Sequence, residues 1–177
     1  MSRILPVSQP QGDVATTLSA INTKLGMIPN LYATVAHSST VLNAYLTFSE
    51  ALNKGRLTVK QRELIALAIG QANECQYCLS AHTLIAASSG VEKQQIADAR
   101  KGEASNELDQ ALLTLAIALV EQRGELTTEQ LTSARQNGVD DELIFEVLAQ
   151  VTANIFTNYS NHVAETDIDF PLVNLKA

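Results

Sequence analysis

Tryptophan is absent from this 177-residue chain, phenylalanine and tyrosine occur four times each, and cysteine occurs only twice. So few rings leave leucine, isoleucine, valine and alanine to fill the interior, which suits packed helices better than sandwiches or barrels. Basic residues are also scarce: twelve Lys and Arg face nineteen Asp and Glu, a formal net charge of −7. The basic residues that come closest to a cluster, Lys54, Arg56, Lys60 and Arg62, are scattered. This balance argues against nucleic acid or an anionic membrane surface as a partner. Long apolar runs are missing too, since the greasiest stretch, Ala111 to Val120, reaches about half a bilayer span. Met1 to Gln11 carries one arginine and two prolines and no apolar segment of the export-signal kind. The expectation is a soluble protein of the reducing cytoplasm. A chain of this length forms one domain, 1–177, that buries roughly 70% of its unfolded surface and needs no disulfide to fold.

Helix caps divide the chain. Asp13 opens a predicted helix over Val14–Leu25 that Gly26 closes, and Ser39 or Thr40 opens a run through Leu42, Leu46 and Leu52 that Gly55 ends. Thr58 and Gln61 have capping-box spacing ahead of Val59–Ala72, a stretch apolar on all sides and therefore central. Asn73 is the expected cap of the next helix, with Cys75 in its first turn, Cys78 in its second, and a stop at Ser89 and Gly90. Further helices are predicted at about 92–100, 107–123, 128–136 and 141–164, with Gly102, Gly124 and Gly138 between them. No strand pattern competes, and the fold class is all-α, a bundle of about six to nine helices. Gly55-Arg56-Leu57-Thr58 echoes Gly124-Glu125-Leu126-Thr127, and Glu63-Leu64-Ile65 echoes Glu142-Leu143-Ile144, so an internal duplication is one possibility.

Both cysteines fall in Cys75-Gln76-Tyr77-Cys78, four residues before His82. On a helix, positions 75, 78 and 82 lie within roughly 60° of one another, which gives both sulfurs and the imidazole one face. Glu63, on the preceding helix, can fold back and orient the imidazole. An ordinary thiol is only slightly ionised at neutral pH, and His82 supplies the base or the positive field that a reactive cysteine needs. Cys75 is nearer the expected helix N-terminus and Cys78 nearer His82, so the residues alone leave open which sulfur attacks. Such a dithiol can cycle: two-electron oxidation of one thiolate to a sulfenic acid lets the second thiol condense with it to a disulfide, which an external dithiol must reduce.

Glu63, eleven intervening residues, then Cys75-x-x-Cys78-x-x-x-His82 resembles the active-site pattern of AhpD-like alkylhydroperoxidases in the carboxymuconolactone decarboxylase superfamily. Leu25-Gly26-Met27-Ile28-Pro29-Asn30-Leu31 and the stretch from Asn161 to Pro171 are similar to its peroxidase-related branch, so the resemblance spans nearly the whole chain. It implies an all-helical subunit that assembles into trimers or hexamers. The implied activity is reduction of organic hydroperoxides, with no bound cofactor and a dithiol compound or redox protein as electron donor. It further implies Cys78 as the peroxidatic thiolate, Cys75 as the resolving thiol, and His82 with Glu63 as the proton relay. Where well-characterised members have a histidine between the cysteines this chain has Tyr77, whose phenol, with an ordinary pKa near 10, is a poor neutral-pH base. The implied relay is one group shorter.

Four other readings compete. Free cysteines are often small buried hydrophobes. Cys75, Cys78, His82 and Glu63 are acceptable zinc ligands, although a second C-x-x-C or paired histidines are missing. A redox sensor that does not turn over needs the same dithiol. The superfamily's lactone decarboxylases work without a cysteine pair, against which Cys75 and Cys78 argue. His37 and His162 stand singly and are expected to pack or cap. No phosphate loop, haem or flavin motif is present.

Overall fold

The computed structural model describes residues 2–176, and nine helices account for the regular structure among them. They are α1 (Gly12–Leu25), α2 (Asn30–Val35), α3 (Ser39–Leu52), α4 (Val59–Ala72), α5 (Gln76–Ser88), α6 (Lys93–Ala99), α7 (Glu107–Glu121), α8 (Thr128–Gln136) and α9 (Asp141–Ala164). No strand occurs among the described residues, and no helix is long and apolar enough to cross a membrane.

The all-round apolarity of α4 has the consequence expected of it. Every residue from Leu64 to Gly70 is buried, and α4 packs against α5, α6, α7 and α9. Ile65, Leu67 and Ile69 are fully enclosed, and burial of each such side chain is worth about 1.5–3 kcal/mol. A smaller apolar cluster joins α1 to α3 through Leu18, Ile21, Ala36 and Leu42. A third surrounds the cysteines, where Leu31, Cys75, Tyr77 and Cys78 pack with Phe170.

Thr58 and Gln61 form the capping box of α4, and Thr127 and Gln130 form one at α8. The echoed segments, however, do not keep one spacing: Thr58 and Glu63 serve a single helix, whereas Thr127 opens α8 and Glu142 lies on α9. Several predicted boundaries shift by a residue or two because a neighbour caps better. Ser38 rather than Ser39 or Thr40 caps α3, and Glu92 caps α6 instead of lying inside it.

Two features were not predicted. One is α2, which follows Pro29 and is held where the Asn30 N–H donates to Asp169 Oδ2 at 2.7 Å. The other is the non-helical stretch 166–176, strapped across α4 and α5. There the Val173 N–H donates to Ser80 Oγ, while Gln76 and Gln71 donate to the carbonyls of Val173 and Leu175, each at 3.1 Å. Arg100 adds a bond to the Asn174 carbonyl at 2.7 Å.

Candidate active site

The cysteines owe their placement to how α4 ends. Asn73 does not cap α5; it terminates α4, and Glu74 follows in the left-handed region at φ 54°. The Cys75 N–H then bonds to the Gly70 carbonyl at 2.8 Å and the Glu74 N–H to Gln71 at 3.0 Å, closing a Schellman motif. Cys75 itself is the N-cap of α5, and its Sγ accepts the Cys78 N–H at 3.4 Å. The two helices therefore share this junction without a spacer. Both thiols are free and buried, Cys75 at 1% and Cys78 at 3% exposure.

One helical turn beyond Cys78, His82 Nδ1 lies 2.8 Å from Glu63 Oε2. The carboxylate fixes the ring so that Nε2 is the free nitrogen. Burial pushes the imidazole pKa down, but the charge and hydrogen bond of Glu63 and the nearby Cys78 outweigh it, and the net shift is upward. A third side chain completes the shell around the sulfurs: Asn161 of α9 donates Nδ2–H to Cys78 Sγ at 3.3 Å and faces Cys75 Sγ at 3.9 Å.

These contacts divide the two thiols. The Cys78 pKa is lowered to about 7, chiefly because the Cys75 thiol donates to it; burial opposes this, and the His82 charge and the Asn161 and Asn158 amides assist. The Cys75 pKa is driven up by giving that hydrogen bond, by burial and by the Cys78 charge. Of the two, Cys78 is the sulfur that ionises first and Cys75 the one that keeps its proton. Tyr77, buried beside them, accepts the Leu31 N–H at 3.2 Å and meets Phe170 edge-on with centroids 5.5 Å apart. Its hydroxyl thus fastens α2 to α5.

Cys78 and His82 open onto a cavity of about 340 Å³. Leu25, Tyr32, Tyr45, Leu84, Ile85 and Phe170 are among its other walls, and it is largely apolar and aromatic. Cys75 is not part of its lining. A cavity of similar size between α7 and α8 has neither thiol nor imidazole. Among the described residues no three His, Cys, Asp or Glu side chains converge to hold a metal ion. His37 and His162 lie apart from the site: His37 Nε2 is 2.9 Å from the Leu5 carbonyl oxygen, and His162 stacks beside Tyr159 at the end of α9.

The four predicted residues Glu63, Cys75, Cys78 and His82 therefore come together, joined by Asn158 and Asn161 of α9, to which no motif in the sequence points. Glu63→Gln is expected to slow any reaction of Cys78 about ten- to a hundredfold at neutral pH. It is also expected to move the thiol's pH profile upward, because the neutral amide no longer holds the imidazole charged. Alkylation rate against pH checks it, and an unmoved profile would show that Glu63 only packs.

The helical bundle that carries this C-x-x-C dithiol and His–Glu pair has the fold of a solved AhpD core. The sequence model of the Carboxymuconolactone decarboxylase family matches residues 40–108. That match spans α4, α5 and α6, with the cysteine pair and His82 among them, and leaves more than half of the chain outside it. An alkylhydroperoxidase AhpD core, an uncharacterized peroxidase-related protein from Ralstonia eutropha JMP134, superposes with a TM-score of 0.85 at 23% identity, covering 95% of this chain and 92% of the other. An uncharacterized peroxidase-related protein from Silicibacter sp. TM1040 gives 0.82 at 22% identity, covering 92% and 88%. A debrominase, solved as a cysteine-to-alanine variant with 2,3,4-tribromopyrrole, gives 0.79 at 20% identity, covering 96% and 92%. No curated protein matches the sequence.

Proposed function

We propose that the protein is a thiol-dependent peroxidase that reduces organic hydroperoxides through a dithiol–disulfide cycle of Cys78 and Cys75. The observation that carries this reading is the division of the pair: the sulfur on the cavity wall has its pKa lowered to about 7, and the proton-holding sulfur lies behind it. The Cys78 thiolate attacks the distal peroxide oxygen, so that an S–O bond forms as the O–O bond breaks. The departing alkoxide takes a proton from the His82 imidazolium and leaves as the alcohol. Cys75 then attacks the sulfenic sulfur; an S–S bond forms, the S–O bond breaks, and the hydroxide leaves as water with the Cys75 proton. A dithiol compound or redox protein supplies the two electrons and two protons that restore the pair. The apolar lining favours a peroxide with a hydrocarbon body over hydrogen peroxide. A cycle that rests as the dithiol suits a reducing compartment, the cytoplasm.

Thiol titration before and after one equivalent of cumene hydroperoxide tests the proposal. Two thiols are expected to disappear together, at a rate that rises with pH through about 7 as Cys78 ionises and then levels off. Unchanged thiols would refute the peroxidase reading.

A second reading is favoured by the ring-rich cavity and by the debrominase's likeness of fold. The Cys78 thiolate takes a halogen from a halogenated aromatic, the ring carbanion takes the His82 proton, and Cys75 displaces halide to give the same disulfide. Halide release from a bromopyrrole, with hydroperoxide inert, would select it.

A further inference from the structure

Helix α9 buries asparagines at 154, 158 and 161, where burial of an unbonded amide destabilises the fold. Asn154 meets its need locally, since its Nδ2 donates to the Gln150 carbonyl at 2.9 Å. The other two, three positions apart, share the face that α9 turns toward α5. Asn161 spends its Nδ2 on Cys78 Sγ. Asn158 is fully enclosed, at 0% exposure, and its Oδ1 accepts Asn73 Nδ2–H at 2.8 Å. In that bond Asn158 is the acceptor, and its Nδ2 is left buried with no partner at ordinary hydrogen-bond geometry. The same amide acts on Cys78, where it favours the thiolate.

A buried donor with no ordinary hydrogen bond, held by Asn73 through its carbonyl and one helical turn from the Asn161 amide that bonds Cys78, is arranged for an atom or charge that arrives during reaction. We propose that Asn158 is a catalytic donor: its Nδ2–H bonds to Cys78 as the thiolate, and then to the oxygen that oxidation places on that sulfur. This rests on the peroxidase reading for its second half. When Cys75 attacks the sulfenic sulfur, the S–O bond breaks and negative charge grows on the departing oxygen. A fixed N–H at that point stabilises the charge until the oxygen takes the Cys75 proton and leaves as water. Asn73 is the matching positioning residue, acting only through the Asn158 carbonyl.

Two readouts on Asn158→Ala and Asn73→Ala test this, each variant first checked for a wild-type melting profile. The first is alkylation of Cys78 by iodoacetamide against pH in a Cys75→Ser background, which involves no peroxide. Asn158→Ala is expected to shift the profile upward and to slow alkylation several-fold at neutral pH. The second is the lifetime of the sulfenic acid after one equivalent of cumene hydroperoxide with Cys75 present, followed by dimedone trapping and mass. About a tenfold longer lifetime is expected for Asn158→Ala, with a smaller change in the same direction for Asn73→Ala, whose substitution frees the amide to turn. A folded Asn158→Ala protein with both readouts unchanged would overturn the proposal. An upward alkylation shift in a protein whose wild type ignores hydroperoxide would uphold the bond to the thiolate and refute the peroxidase reading separately.

Discussion

Cys78→Ser is expected to abolish turnover with organic hydroperoxide, lowering the rate by about a thousandfold or more. A serine hydroxyl ionises far above neutral pH and is a weak nucleophile without a dedicated base. None of the groups that bring Cys78 to about 7 can make up that difference: the Cys75 thiol, the His82 charge and the two amides were sufficient for a thiol alone. The variant should fold, because the new side chain is smaller and sits where Asn161 can still donate to it. Steady-state consumption of cumene hydroperoxide with excess dithiol reads the effect. Activity within tenfold of wild type would mean that the chemistry is not on this sulfur.

Cys75→Ser is expected to produce a different defect of nearly the same size. One equivalent of peroxide is consumed at Cys78 and the protein then stops, because no thiol lies behind the sulfenic acid to displace its oxygen. Excess peroxide should carry the stalled sulfur on to the sulfinic acid. Serine is a favoured N-cap, and at the head of α5 it can accept the Cys78 N–H that the sulfur accepts now. Stability should therefore fall by less than about 1 kcal/mol, and loss of turnover in a folded protein becomes a statement about chemistry. Mass after one equivalent should show a single added oxygen. Multiple turnover at the wild-type rate would remove Cys75 from the cycle.

The bundle was legible in the sequence wherever a local signal sufficed. The capping box at Thr58 and the glycines after α1 and α8 mark ends that depend on residues within one turn. The course of the chain through the cysteines was less legible. Asn73 is a better cap than Cys75 by intrinsic preference, but Glu74 adopts the left-handed conformation usually left to glycine, and the helix start moves two residues on. Helix α2 escaped notice because six residues carry no periodicity, and Asn30 is held by Asp169 from 139 positions away. The site was half legible: Glu63, Cys75, Cys78 and His82 declare themselves by spacing on adjoining helices. Asn158 and Asn161 have no such relation to the cysteines, and on α9 they look like helix-surface residues until the packing turns them inward.

The bond from the Cys78 N–H to Cys75 Sγ has a consequence for the energetics of the couple. Like the Asn161 amide on both sulfurs, it is made to atoms that carry or share negative charge in the dithiol form. A disulfide sulfur is neutral and a poor acceptor, so these contacts weaken once the S–S bond closes. Everything that favours the electron-rich form raises the reduction potential. In the proposed cycle these contacts shift the pair toward the oxidising side, so that a mildly reducing thiol pool is enough to return the electrons a peroxide takes.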